Sequence, residues 1–218
     1  SWPLKGCDKM STTEIYVFGK DGFARYYAET RNAWRGAIAI WSFLEEKYLP
    51  PYIPGYVTGC NWYYPSITPQ EVEKRLGYKP TRLSPTFKKG NNPTQEIWDL
   101  ADDLRLSRHE RIVLHTTFDH CLVKKEDIPV VVKAFRTFEG ETSLPEQADI
   151  LDHIAQEDDV IAVGWNQTSI SADNWGNYGF NPVSGKREPY NCLYPNNLEW
   201  EHYWLFDELK EGKHDTQM

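Results

Sequence analysis

Cysteine is scarce in this sequence of 218 residues, and its scarcity excludes two classes of protein. The cysteines are widely spaced, at Cys7, Cys60, Cys121 and Cys192. They form no Cys-x-x-Cys pair of the kind that a structural zinc site uses. They are also too few for the dense disulfide framework of a small secreted protein. We therefore expect isolated thiols, with no metal ion and no other cofactor.

Long apolar runs are absent as well. No segment approaches the roughly 20 apolar residues that cross a bilayer, and the first residues, SWPLKGCDKM, lack the apolar stretch of a signal peptide. We expect a soluble, cytoplasmic protein that does not contact membranes. The glycosylation pattern at Asn166 is then not used. Met10 precedes STTEIYVFG, so residues 1–9 are interpreted as an upstream extension or an added segment.

Clustered positive charge is also missing. The net charge is −8 and the isoelectric point is about 5.3, and the pair Lys88-Lys89 is too small for a nucleic-acid footprint. The phosphate-binding pattern Gly-x-x-x-x-Gly-Lys-Ser/Thr and the nucleophile elbow Gly-x-Ser-x-Gly do not occur, which disfavours the corresponding hydrolases. The acidity fits either simple solubility or docking on a basic protein.

The patterns that are present indicate a mixed fold. Residues 14–29, EIYVFGKDGFARYYAE, predict a β-hairpin with Lys20-Asp21-Gly22 at its turn. The apolar run 160–165 predicts a buried strand, and another strand is expected over 118–124. We therefore expect an α+β fold, in which an N-terminal β-hairpin plus a small mixed sheet packs against several amphipathic helices. Residues 10–218 are expected to form one compact domain, with any lobe junction near 78–93.

Helix boundaries are predicted from capping residues and apolar stripes. A first helix is expected to begin after Thr30 or Asn32 and to end near Leu49. Its inward stripe would comprise Trp34, Ile38, Trp41, Leu44 and Tyr48. Capping boxes predict further helices that start at Thr68, Ser107 and Ser143.

Two more helices are expected from the spacing of apolar residues. One follows residues 92–94 and is expected to bury Leu104 on its inner side. The other follows Asp127, and its inward residues would be Ile128, Val131, Val132, Phe135 and Phe138.

The strand near 160–168 leads into a polar loop between two tryptophans, WNQTSISADNW. Ligands of α/β sheets often bind at the C-terminal ends of strands, where amides can hydrogen-bond a polar ligand and indoles can stack on it. The candidate ligand-binding residues are Trp165, Asn166, Gln167, Thr168, Asp173 and Trp175. The alternative is a strand that simply leaves the core into a loop held by Asx turns.

The stretch HTTFDHC, residues 115–121, brings nucleophilic and basic residue types close together in sequence. In a strand, His115 and Cys121 would stand about 20 Å apart at roughly 3.3 Å per residue, which is too far for a nucleophile and its base. In a helix, His115 and Asp119 would form an exposed pair. We therefore assign no catalytic residue, and the reactivity of Cys121 and His115 stays open.

Aromatic residues are abundant: nine Trp, thirteen Tyr and nine Phe. Tyrosine and tryptophan are favoured anchors of protein interfaces. The candidate interface residues are Trp62, Tyr63, Tyr64, Trp200, Tyr203 and Trp204. The alternative interpretation is an aromatic core.

Three functional hypotheses follow. The first is a non-enzymatic acidic binding protein of the inhibitor, immunity or adaptor type, with the character of a bacterial or phage accessory protein. It would dock on a protein partner through aromatic surfaces, and its acidic residues would steer the encounter. The second is a small-molecule-binding protein or enzyme whose polar pocket lies after the strand 160–168. The third is a structural subunit of a larger assembly.

Overall fold

The computed structural model describes residues 11–48, 95–168, 170, 175–194 and 201–211. The expected extension 1–9, the helix starting at Thr68 and the junction at 78–93 lie outside these ranges. The described elements are β1 (Thr12–Gly19), β2 (Ala24–Arg31), α1 (Ala37–Tyr48), α2 (Gln95–Leu100), α3 (Arg108–His115), β3 (Cys121–Lys124), α4 (Ile128–Thr137), α5 (Leu144–Ile154), β4 (Val160–Gln167), β5 (Tyr178–Asn181), β6 (Lys186–Pro189), β7 (Tyr203–Trp204) and α6 (Leu205–Glu211).

The strands form a five-stranded sheet in the order β2-β1-β4-β3-β7 and a two-stranded ribbon, β5-β6. All neighbours are antiparallel except β3 and β7, which run parallel. With the helices, this is the α+β fold that the sequence predicts. None of the helices in the described ranges is long and apolar enough to cross a membrane.

The predicted hairpin is confirmed as β1 and β2. Gly22 has a φ of +80° at the turn, a conformation that glycine adopts at no steric cost. The register shifts after the pair Ile15 and Ala28, so that Tyr16 lies opposite Tyr26 and Tyr27 is the extra residue of a bulge.

The sheet is covered on both faces. Ile15, Val17, Val163 and Trp165 point into the larger core, which the helices fill. On the second face, a smaller core contains Tyr16, Phe18, Leu122, Ala162, Trp175, Tyr190 and Cys192. Strand alternation explains this division, because successive side chains of a strand point to opposite faces.

Two helix predictions are confirmed. Ser107 accepts a hydrogen bond from the Glu110 amide, and the Glu110 side chain accepts from the Ser107 amide, which completes the predicted capping box of α3. The apolar side chains predicted to face inward along α4 are all buried, namely Ile128, Val131, Val132, Phe135 and Phe138.

The predicted start of the first helix is wrong. Strand β2 continues through Thr30 and Arg31, and α1 begins only at Ala37. Between them the backbone turns through left-handed conformations at Ala33 and Trp34, so Trp34 is 64% exposed and does not belong to the helical stripe. Hairpin pairing therefore extends further than the capping residues suggested.

Three smaller predictions also fail. Helix α2 ends at Leu100, which leaves Leu104 62% exposed. The strand expected over 118–124 begins only at Cys121, because the amide of Phe118 bonds the carbonyl of His115 in a turn. The capping box at Ser143 does not form; instead, the Thr142 hydroxyl accepts from the Leu144 amide at 3.2 Å.

Candidate functional site

The predicted polar residues after β4 divide between the two faces of the sheet. Gln167 points to the helical side, where its Oε1 accepts from the Thr13 hydroxyl at 2.7 Å and its Nε2 donates to the Thr116 carbonyl at 3.4 Å. The Thr13 Oγ1 also lies 2.8 Å from Asn32 Oδ1. A hydroxyl has one proton, so the Thr13 hydroxyl donates to one of these two amide oxygens at a time. Gln167 thus belongs to an internal network.

Thr168 and Trp165 also have structural contacts. The Thr168 hydroxyl donates to the Thr12 carbonyl at 3.0 Å and accepts from the Thr12 amide at 2.9 Å, which closes the β1–β4 pair. Trp165 packs against Phe135 in the larger core, and its carbonyl accepts from the Trp175 indole at 2.8 Å. These contacts stabilise the end of the strand, and the ligand-binding role of Thr168 and Trp165 stays a prediction.

Asn166 and Trp175 lie on the second face, away from Gln167. The Asn166 Nδ2 donates to Glu14 Oε2 at 2.8 Å, and Asn166 is only 6% exposed. Trp175 is 2% exposed and lies directly over Gly164: a Cβ on Gly164 would approach the indole nitrogen to 2.9 Å. Asp173 lies outside the described residues.

Tyr203 links the two residues whose reactivity the sequence left open. Its hydroxyl is 3.1 Å from His115 Nδ1. A hydrogen bond between Tyr203 and the Cys121 thiol acts to lower the pKa of that thiol. Burial nevertheless raises the pKa of Cys121 to about 12, so the thiol stays protonated. Burial lowers the pKa of His115 to about 4. A protonated thiol beside a weakly basic imidazole does not make an activated nucleophile.

A chain of aromatic rings runs across the second face. The Tyr190 hydroxyl lies 2.5 Å from His202 Nδ1. His202 in turn meets the predicted interface residue Trp204 edge to face, at 5.4 Å between ring centres. Burial, and secondarily the charge of His120, lowers the pKa of His202 to about 4, so its ring is neutral at pH 7. Tyr203 and Trp204 are half-buried, whereas Trp62, Tyr63, Tyr64 and Trp200 lie outside the described residues.

Trp34 is an exposed aromatic residue that the sequence did not predict. It follows Ala33; the φ angle is +42° at Ala33 and +69° at Trp34. The loop is held from both sides: the Asn32 amide donates to the Ser11 carbonyl at 2.9 Å, and the Arg35 carbonyl accepts from the Ser143 amide at 2.8 Å. We call residues 33–35 the Trp34 loop.

Two acidic residues lie near the attachment of this loop in sequence, and one of them contacts the loop. Ser143, which bonds Arg35, is flanked in sequence by the exposed residues Glu141 and Glu146. One Arg35 guanidinium nitrogen lies 3.8 Å from the Glu146 carboxylate. The Trp34 loop therefore presents an exposed indole next to the Arg35–Glu146 ion pair.

The β5–β6 ribbon carries a second group of exposed apolar residues. Tyr178 is 56% exposed and Phe180 is 46% exposed on one face, and Val183 in the turn is 77% exposed. The Arg187 guanidinium donates to the Tyr178 carbonyl across the ribbon. This surface was not predicted from the sequence, although the spacing of Tyr178 and Phe180 is the alternation that places two side chains on one face.

Comparison with known proteins assigns no family. No protein-family model matches the chain, and no curated protein or solved structure is significantly similar to it. In the described ranges, no group of three or more His, Cys, Asp or Glu side chains is arranged to hold a metal ion.

Proposed function

We propose that this chain is a non-enzymatic binding protein of the inhibitor, immunity or adaptor type, which docks on a protein partner. We place it in the cytoplasm, in a bacterial or phage setting. The observation that carries the proposal is the Trp34 loop, in which a backbone of high energy presents a large aromatic side chain to solvent.

The backbone conformation of the loop is energetically unfavourable. A non-glycine residue in the left-handed region is disfavoured by about 1–2 kcal/mol, and Ala33 and Trp34 adopt it consecutively. Packing does not require this cost, because both residues are exposed. Backbone outliers of this kind persist where the surroundings fix them, and they occur preferentially at functional sites.

The same surroundings hold the loop in one conformation. Asn32 is buried against Gly36, where a Cβ would come within 2.3 Å of the Asn32 amide carbon. The hydrogen bonds of Asn32 to Ser11 and of Arg35 to Ser143 fix the loop at both ends. An indole on a loop that is already ordered loses little backbone entropy when it binds, which favours affinity. Tryptophan is also the residue most enriched among binding hot spots.

Charge indicates the kind of partner. Glu146 pairs with Arg35 of the loop, Glu141 lies two residues before Ser143 in sequence, and the whole chain carries a net charge of −8. The matching surface is an apolar pocket bordered by lysine or arginine on another protein. Opposite charges would accelerate the encounter and make it sensitive to salt. Nucleic acid does not fit, because its phosphates would be repelled.

Affinity capture from a lysate of the source organism tests the proposal. The immobilised full chain, its Trp34→Ala variant and its Trp98→Ala variant are compared by quantitative mass spectrometry. Trp98 is a matched control, since it is also a partly exposed tryptophan, 43% exposed, on a different element. We expect a stoichiometric protein that the wild type and Trp98→Ala retain and that Trp34→Ala loses.

The captured protein is then purified and its affinity is measured. For a hot-spot tryptophan, Trp34→Ala should raise the Kd by about 30-fold or more, and added salt should slow association. The thermal midpoint of Trp34→Ala should stay near that of the wild type. Equal capture by Trp34→Ala and the wild type would overturn the proposal.

A further inference from the structure

A row of polar side chains crosses three strands on the second face of the sheet. Glu14 in β1 is the direct cross-strand partner of Glu29 in β2 and of Asn166 in β4. Direct partners in an antiparallel sheet point to the same face, with their Cβ atoms about 5 Å apart. The two carboxylates and the amide therefore form one line across the sheet.

Two of these neighbours carry the same charge. Like charges that lie directly opposite in a sheet are destabilising, yet Glu14 and Glu29 occupy such a pair. Burial, followed by the charge and hydrogen bond of Glu29 and the charge of Glu14, raises the pKa of Tyr26, so both carboxylates are near this ring. Arg31 lies two residues beyond Glu29 on the same face, but the two form no ion pair among the described contacts.

The third member of the row has an unused acceptor. Asn166 is 6% exposed, and its buried Oδ1 has no hydrogen-bond partner in the part of the chain that the structure describes. The amide cannot be turned around, because its Nδ2 donates to Glu14 Oε2 at 2.8 Å and a flip would place two oxygens together. A buried acceptor without a donor is unfavourable, so this oxygen can accept a further N–H or O–H.

Two aromatic rings stand beside the row. Tyr16 and Tyr26 meet edge to face with 5.8 Å between their ring centres, and the Tyr16 hydroxyl donates to Glu14 Oε2 at 3.2 Å. Aromatic faces attract ammonium and guanidinium groups. Ca²⁺ and Mg²⁺ instead need a shell of six or more oxygens, which two carboxylates and one amide do not supply.

We propose that Glu14, Glu29 and Asn166, together with the rings of Tyr16 and Tyr26, form a binding site for an organic cation of the alkylguanidinium or alkylammonium class. The ligand donates N–H groups to the Asn166 oxygen, and its positive charge relieves the repulsion between the carboxylates. Its hydrocarbon part lies against the ring of Tyr26, which is 53% exposed and which Tyr16 meets from the core. The site is independent of the Trp34 loop and stands whether or not that loop has a partner.

The test uses the full chain labelled with ¹⁵N and ethylguanidinium as the probe. The probe is titrated to concentrations on the order of 10 mM, which is a range suited to weak small-ligand binding. The side-chain NH₂ signals of Asn166 and the backbone signal of Glu14 are followed by NMR. We expect saturable shifts at both residues, and N-ethylurea, a neutral molecule of similar shape, should cause none.

Charge-neutral variants locate the site. Glu14→Gln should weaken the binding of ethylguanidinium about tenfold or more, because a charge-assisted contact is lost. Glu139→Gln is the matched control: it makes the same change in charge at a side chain that is 72% exposed outside the row, and its affinity should equal that of the wild type. Glu29→Gln provides a second variant if Glu14→Gln fails to fold.

Further titrations identify the source of the cation. Tighter binding of the capped peptide acetyl-Gly-Arg-Gly-amide than of ethylguanidinium would assign the site to an arginine of another protein. Equal or weaker binding of the peptide would assign it to a free small molecule. The proposal is overturned if ethylguanidinium gives no saturable shift, if the Glu14→Gln variant binds as well as the wild type, or if only Ca²⁺ shifts these signals. A failed titration here leaves the Trp34 capture experiment unaffected.

Discussion

The Tyr203 hydroxyl lies 3.1 Å from Nδ1 of His115 and so joins strand β7 to the last turn of α3. The imidazole also meets Phe118 edge to face and is 7% exposed. Burial is the main cause that lowers the pKa of His115 to about 4, while the charge of Asp102 opposes it and that of Arg111 adds to it. The folded protein therefore holds this histidine neutral well into acidic pH.

A loss of stability between pH 6.5 and 4 follows from His115. The unfolded chain binds a proton near pH 6.5, whereas the folded chain binds it only near pH 4. Stability is thus fully present above pH 6.5 and falls as the pH drops through this window. The contribution is about 3 kcal/mol, at about 1.4 kcal/mol for each tenfold difference in proton affinity. Urea unfolding at several pH values measures it.

The variant His115→Gln supplies the comparison. It lacks the titrating group, so its free energy of unfolding should depend less steeply on pH between 6.5 and 4. His202 retains a similar dependence, because its pKa is also lowered to about 4. Identical slopes for the wild type and His115→Gln would contradict the assignment.

We expect Glu110, the acidic residue of α3, to contribute to the stability of the fold. Its side chain, 2% exposed, lies 2.6 Å from the Lys47 ammonium and also accepts from the Tyr48 hydroxyl and the Ser107 amide. The Lys47 side chain is 42% exposed, so removing Glu110 leaves a solvated ammonium. Hydrogen bonds to a charged group contribute about 1.5–3 kcal/mol, so we expect Glu110→Ala to lower the free energy of unfolding by about 2 kcal/mol.

Lys47 offers an internal control for this prediction. The same ammonium lies 3.9 Å from Glu139, whose side chain is 72% exposed. Exposed pairs contribute about 0–1 kcal/mol, so Glu139→Ala should leave the unfolding midpoint nearly unchanged. Comparable losses from the two variants would show that hydrogen bonding at Glu110 is not the decisive factor.

We expect the hydrogen-bond network around Thr13 to contribute measurably to the free energy of unfolding. Thr13→Val keeps the shape of the side chain but leaves the side-chain oxygens of Gln167 and Asn32 without the Thr13 donor. An unsatisfied buried polar group costs about 1–3 kcal/mol, so denaturant unfolding should show a loss of about 2 kcal/mol or more. Thr12→Val, one residue earlier and partly exposed, should cost well under 1 kcal/mol. A neutral Thr13→Val variant would remove the network as a source of stability.

Sequence patterns correctly predicted the elements that depend on residues close together in sequence. The β1–β2 hairpin follows from the Lys20-Asp21-Gly22 turn and from alternation, and α3 follows from its capping box at Ser107. The start of α1 could not be predicted in this way. Asn32 and Thr30 are good capping residues, but pairing with β1 and burial against Gly36 outweigh that preference.

The candidate site was accessible from the sequence only in part. The polar character of Asn166 and its place near the end of a strand were evident. Its neighbours were not, because Glu14 and Glu29 reach it through the register of three strands, including β4, which is distant in sequence. Trp34 was assigned to a helix because its spacing fitted an apolar stripe, and only the left-handed backbone of the loop reveals its exposure.

The strand order has a consequence for synthesis on the ribosome. Strand β1 is made first, but one of its two sheet neighbours is β4, so that Thr13 and Gln167 meet across 154 residues of chain. During translation the hairpin therefore emerges with an open edge, which can pair wrongly with other nascent chains until β4 is made. A chain that stops before residue 160 should need a chaperone or aggregate, whereas the complete sheet closes this edge itself.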